Sequence, residues 1–181
     1  QTCALPIWAK LVANGEIYNY VELRAAMSGA HFATQSDCET PLLLYRRDGM
    51  DFPDRLRGMY AIALHDPKER RLVLSRDPFG IKPLYYAETP HGFMFASEPQ
   101  ALIATVGPRA LDPQRRAELL QLQFTTGTET IFTGISRVLP GETITVSEGR
   151  VIGRTRRAAL PEGAPEPRSE DEAMEIGRAH V

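Results

Sequence analysis

The sequence predicts a mixed α+β domain made mostly of antiparallel hairpins with few helices, and three pairings carry that expectation. The near-continuous apolar run 59–66 turns at Pro67-Lys68-Glu69-Arg70 and returns as 71–77, as expected of central strands buried on both faces. Segments 82–86 and 93–97 read as two further strands joined at His91-Gly92, and 144–147 pairs with 151–154 across Glu148-Gly149. A chain of 181 residues with 43% hydrophobic content has material for one ordinary core rather than two.

Both extremities are expected to be foreign to the fold. The opening Gln1-Thr2-Cys3-Ala4-Leu5-Pro6-Ile7 can be encoded by CAG ACG TGT GCT CTT CCG ATC. The reverse complement of that string, in another frame, encodes Ile-Gly-Arg-Ala-His-Val, the closing Ile176-Gly177-Arg178-Ala179-His180-Val181. The shared string resembles sequencing-library adapter DNA, so residues 1–7 and 176–181 are read as translated scars, and Cys3 is not counted as a nucleophile.

Taken in order, Leu11-Val12-Ala13 reads as the end of a buried strand, broken by Asn14-Gly15, whose local composition is that of a turn. Residues 20–27 form an amphipathic helix carrying Val21, Leu23 and Met27, stopped by Ser28-Gly29. Residues 31–35 alternate like a strand. Ser36 or Asp37 then has the chemistry to cap a helix over 39–48, which Gly49 ends, and Cys38 is expected as a small buried apolar residue.

A connector over 52–58 leads to the first hairpin, and Asp77-Pro78-Phe79-Gly80 is a turn signal. Helical character begins at 101–104. Asp112-Pro113 places an N-cap before a proline at the first helical position of a helix bearing Leu119, Leu120 and Leu122. Residues 159–168, rich in proline, glutamate and glycine, read as a linker, with Ser169 as the cap of a further helix.

Composition narrows the function classes. With 21 Lys and Arg against 23 Asp and Glu, the formal net charge of -2 provides no general attraction to nucleic acid or anionic membrane, and no apolar run is long enough to span a bilayer. Two cysteines make no disulfide framework, and four scattered histidines make no zinc site. The opening lacks the form of a secretory leader, and a reducing cytoplasm is the expected location.

Five motifs in order resemble the glutaminase domain of glutamine-hydrolysing asparagine synthetases, which are type 2 glutamine amidotransferases. They are NGEIYNYVELR at 14–24, SDCE at 36–39, RLRGMYAIALHD at 55–66, RDPFGIKPLYY at 76–86 and FASE at 95–98. The resemblance continues through LDP at 111–113 and ETIFTGISRVLPGE at 129–142, covering almost everything between the two extremities. It implies an N-terminal-nucleophile hydrolase fold, incomplete here, with stacked antiparallel sheets between helical layers.

It also implies a site. In the family a cysteine at the mature N-terminus attacks the glutamine side-chain amide, and a glutamyl thioester is hydrolysed after ammonia leaves. The oxyanion donors map to the Asn14 side chain and the Gly15 N–H, and the acceptors for the substrate ammonium map to Glu16 and Asp37. No metal ligand is implied. Cys38 stands where the family usually has threonine. His65 and Asp66 are expected to be structural rather than a catalytic dyad, and Arg76, Asp77 and Lys82 architectural, with an Arg76–Asp77 ion pair.

The family's Cys-Gly-Ile start, its substrate-carboxylate arginine and the SGGxDS loop of its ATP-dependent synthetase domain are not in this sequence. The fragment is therefore expected to be inactive by itself, with residues 8–158 a partial glutaminase domain and 159–175 a linker and the start of the next domain. The parent would use ATP and magnesium to activate aspartate and would form a homodimer, with glutamine the substrate of this half. Two other readings stay open: an asparagine-synthetase-like amidotransferase acting on another acceptor, and a module that binds glutamine without hydrolysing it.

Overall fold

In the computed structural model, residues 9–160 and Met174 are described. The expected scars, most of the linker and the Ser169 helix lie outside the described residues.

The first strand, β1 (Lys10–Ile17), pairs antiparallel with β2 (Gly58–Asp66) over its whole length, from Lys10 opposite His65 to Ile17 opposite Gly58. The chain therefore does not turn at Asn14-Gly15, contrary to the local reading. The glycine is there for close approach: a Cβ on Gly15, whose φ is +154°, would lie 2.1 Å from the Met59 carbonyl oxygen. Gly58 is its counterpart on β2, where a Cβ would lie 2.1 Å from the Glu16 carbonyl oxygen. The turn comes later, at Tyr18-Asn19. There the buried Asn19 carboxamide donates to the Arg55 carbonyl (2.9 Å) and accepts from the Arg57 N–H (2.9 Å).

Helix α1 (Tyr20–Ala26) follows as expected, but residues 31–35 form no strand, with bends at 33–35. Side chains take the groups a ladder would need. The Glu39 carboxylate accepts from the N–H groups of Ala33 (2.6 Å) and Thr34 (2.7 Å), and the Arg24 guanidinium donates to the carbonyls of Thr34 (3.0 Å) and Ser36 (2.8 Å). Arg24 also lies over the Phe32 ring, 4.2 Å from its centroid. Helix α2 (Glu39–Asp48) has the expected bounds and stops at Gly49, at φ +65°, before a 3-10 helix over Gly49–Arg55. Ser36 makes the capping contact just ahead of it, its Oγ accepting the Cys38 N–H at 3.2 Å, while the Asp37 carboxylate turns to β1 instead. The cap position falls on Cys38, with no side-chain bond to the helix.

β2 and β3 (Arg71–Arg76) form the expected hairpin, and β7 (Glu142–Ser147) and β8 (Arg150–Arg156) another. Together they give a five-stranded antiparallel sheet in the order β1-β2-β3-β7-β8. A second sheet, ordered β5-β4-β6, comprises β4 (Tyr85–Thr89), β5 (Gly92–Ala96) and the two-residue β6 (Ser136–Arg137).

β4 begins three residues later than 82–86 predicts. The chain before it is held by Asp77, whose buried carboxylate accepts from the N–H groups of Phe79 (3.1 Å), Ile81 (3.0 Å) and Lys82 (3.0 Å), and from Tyr60 (3.3 Å). Arg76 in turn donates to the carbonyls of Gly80 (2.6 Å), Lys82 (2.7 Å) and Val138 (2.8 Å). Both residues are architectural, but through backbone hydrogen bonds rather than the direct ion pair expected of them.

One face of the large sheet packs Ile17, Tyr60, Ile62, Leu64 and Val73 against Leu44, Phe52 and Leu56 of the helical side. The other packs Ala61, Ala63, Leu74, Ile144 and Val146 against Leu84, Tyr86 and Val138 of the small-sheet side. Helix α3 (Pro99–Val106) packs on β4 and β5, so helices flank the two stacked sheets. Helix α4 (Pro113–Leu122) starts on its predicted cap, with Asp112 Oδ1 accepting the Arg115 N–H at 2.9 Å.

Candidate active site

β1 ends the large sheet, so one side of its backbone is unpaired by any strand among the described residues. Strand alternation puts Val12, Asn14 and Glu16 on the exposed face that looks toward the small sheet, and Ala13, Gly15 and Ile17 on the face toward the helices. Asn14 lines a cleft of about 230 Å³ between the sheets, walled by Val12, Ala61 and Ala63 on one side and by Leu84, Phe95 and Ser97 on the other. That is below the roughly 300 Å³ at which drug-sized pockets begin, and Asn14 and Ser97 are the polar side chains of an otherwise apolar lining.

The direction of the Gly15 amide follows from its neighbour across the ladder. Tyr60, opposite Gly15, directs its N–H and C=O to Asp77, whose own N–H donates to the Tyr60 carbonyl at 2.9 Å. Gly15 therefore has no β2 partner, and its N–H points off the free edge. Ile17, two residues on, has the same direction, and its N–H donates to Asp37 Oδ2 at 2.7 Å. That bond places the Asp37 carboxylate one residue from Glu16, whose side chain makes no hydrogen bond or ion pair among the described residues. Asn14, Gly15, Glu16 and Asp37, all singled out from the sequence, thus gather along one strand edge.

Cys38 lies beneath this edge, its thiol 3.9 Å from the Gly15 carbonyl oxygen. Burial and the neighbouring Asp37 carboxylate push the thiol pKa up, so at neutral pH it is a neutral thiol and not an activated nucleophile. His65 and Asp66 do not form a dyad: His65 is exposed, while the buried Asp66 carboxylate accepts from the Tyr45 hydroxyl (2.7 Å) and from the Lys68 (2.9 Å) and Glu69 (3.1 Å) N–H groups. The cleft residue that sequence reasoning missed is Ser97. Its only signal was membership of FASE.

The family description "glutamine amidotransferase domain" matches residues 6–156. The chain belongs to the glutamine amidotransferase family. A putative glutamine-hydrolysing asparagine synthetase of Mycobacterium bovis is 38% identical to the amidotransferase domain over 168 residues, covering 89% of this chain and 26% of the relative. Glutamine-hydrolysing asparagine synthetase 2 of Bacillus subtilis is 46% identical over 94 residues, covering 52% of this chain and 13% of the relative. The domain is thus homologous to the glutaminase half of these synthetases and spans about a quarter or less of their length.

Among solved structures, the glutamine phosphoribosylpyrophosphate amidotransferase of B. subtilis complexed with ADP and GMP superposes with a TM-score of 0.56 at 22% identity, covering 82% of this chain and 29% of that one. This likeness identifies the N-terminal-nucleophile fold expected from the motifs. No helix among the described residues is long and apolar enough to cross a membrane.

Proposed function

We propose that this chain is the glutaminase part of an asparagine synthetase, releasing ammonia from glutamine for the amidation of aspartate. The observation that carries the reading is the shared edge of β1, where the Asn14 carboxamide meets the cleft, the Gly15 N–H is unpaired by β2, and Asp37 is bound to the N–H of the residue that follows Glu16. The Asn14 and Gly15 donors suit the oxyanion that forms when the glutamine amide carbon becomes tetrahedral. The two carboxylates suit the substrate's α-ammonium group.

The attacking thiolate must come from a cysteine other than Cys38, since Cys38 is neutral and lies against the Gly15 carbonyl. The 181-residue chain alone is accordingly proposed to release no ammonia. Activation of aspartate with ATP and magnesium is assigned to the parent's synthetase half, and no residue within 9–160 is given that role. A cytoplasmic, dimeric parent is part of the same proposal.

The test is glutamine-dependent ammonia release by the enzyme encoded by the parent gene. Asn14→Ala should lower turnover about a hundred- to thousandfold with little change in stability. Unchanged turnover would overturn the assignment, and ammonia release by the 181-residue chain that Asn14→Ala abolishes would overturn the proposed inactivity.

A further inference from the structure

The helix-facing side of the large sheet carries a second cleft, of about 370 Å³, that shares no lining residue with the one at Asn14. Its floor is a row of hydroxyls from adjacent strands. Tyr60 is on β2, Ser75 on β3 and Thr143 on β7, all buried, and Ser75 Oγ and Thr143 Oγ1 are 2.8 Å apart. Ser75 also lies within hydrogen-bonding reach of the Tyr60 phenol, so the three hydroxyls form one connected row.

The walls carry charges of opposite sign that do not meet. Arg157, just past β8, donates Nη1 to the Pro53 carbonyl (2.7 Å) and Nη2 to the Leu56 carbonyl (3.1 Å), which pins its guanidinium at the end of the 3-10 helix. Asp51 and Asp54, on that helix, line the same cleft and are exposed, and neither carboxylate makes a hydrogen bond or ion pair among the described residues. Burial holds the Tyr60 phenol up at about 12. Arg157 pulls it down and Asp54 pushes it up, so both charges act on the same hydroxyl from within the cleft.

The Arg157 guanidinium is held by the carbonyls of Pro53 and Leu56, no ion pair joins it to Asp51 or Asp54 among the described residues, and the cleft that all three line is floored by neutral hydroxyls. We propose that this cleft binds a small zwitterionic α-amino acid, its carboxylate taken by Arg157 and its ammonium by Asp51 and Asp54. The hydroxyl floor favours a short or hydroxylated side chain.

The test uses the 181-residue chain titrated with glycine, L-serine and L-threonine, with N-acetyl-L-serine and L-serine methyl ester as probes lacking one charge, read by calorimetry and by NMR shifts of Tyr60, Thr143 and Thr155. L-Serine should bind at least about tenfold more tightly than either derivative, and the double variant Asp51→Asn, Asp54→Asn should weaken it by a similar factor. Both aspartates are exposed, so the variant keeps the fold. Glu16→Gln, at the other cleft, should leave L-serine binding unchanged. Equal binding of the N-acetyl derivative, full binding by the double aspartate variant, loss of binding in Glu16→Gln, or no shift with any of the three amino acids would each overturn the proposal.

Discussion

Asp37 Oδ2 accepts the backbone N–H of Ile17 at 2.7 Å, joining the second residue before α2 to the open edge of β1 twenty positions earlier. The Arg24 and Glu39 contacts that shape residues 31–36 bring Asp37 to that place, so loop and site are one construction. A carboxylate holding a backbone N–H of the strand is fixed before any ligand arrives.

Asp37→Ala is expected to lower the unfolding free energy by about 1.5–3 kcal/mol, the range for a hydrogen bond to a charged group. Asp37→Asn keeps a carbonyl acceptor and should cost less. Urea unfolding of the two variants beside Asn14→Ala checks this; if Asp37→Ala is as stable as Asn14→Ala, the Ile17 bond contributes nothing.

Gly15→Ala should be far more disruptive than its small size implies. The added Cβ would fall 2.1 Å from the Met59 oxygen and 2.7 Å from the Tyr60 Cα, both backbone atoms of a central strand. A loss of at least about 3 kcal/mol is expected, with Gly58→Ala similar because it meets the Glu16 oxygen at the same distance. Thermal melts near the parent value for either variant would contradict the close approach.

Asp66 should make the fold acid-sensitive. Burial raises its carboxyl pKa, but the Tyr45 hydroxyl, the Glu69 and Lys68 N–H groups and Arg71 outweigh that, and the net shift is downward. A depressed folded-state pKa means the contribution is fully present above the unfolded value, about 3.9, and is lost as pH falls through the folded value. Asp66→Asn should therefore be less stable at neutral pH and show a shallower stability loss below about pH 4. Parallel stability–pH curves for the two proteins would refute this.

Cys38 should alkylate slowly. Its thiol is pushed up by burial and by Asp37, so its reaction with iodoacetamide at neutral pH is expected to lag that of a free cysteine and to speed up in Asp37→Asn. Equal rates in the parent and Asp37→Asn would show that the carboxylate has no hold on the thiol.

Much of the frame was legible along the chain because its signals are local. The apolar run through β2, the return of β3, the Gly49 stop and the Asp112-Pro113 cap each depend on residues a few positions apart, and the structure shows all four. The misreadings came where distant groups compete for the backbone. Residues 31–35 alternate like a strand, yet Glu39 and Arg24 take their N–H and C=O groups. Asn14-Gly15 has the composition of a turn, yet Met59 and Tyr60 pass so close that only glycine fits within a continuing strand. Likewise Asp77 and Arg76, adjacent and opposite in charge, bind the N–H and C=O groups of the 79–82 loop instead of each other.

By itself, then, the sequence determined the strand and helix periodicity, the family and the four residues of the candidate site. Only the tertiary structure decided that Asn14 faces the cleft between the sheets while the Gly15 amide leaves the edge of β1, because both directions depend on which strand lies opposite and where that strand sends its own hydrogen bonds. It alone also set Arg157 in one cleft with Asp51 and Asp54, about a hundred positions away in the chain, a juxtaposition that arises from packing and not from spacing.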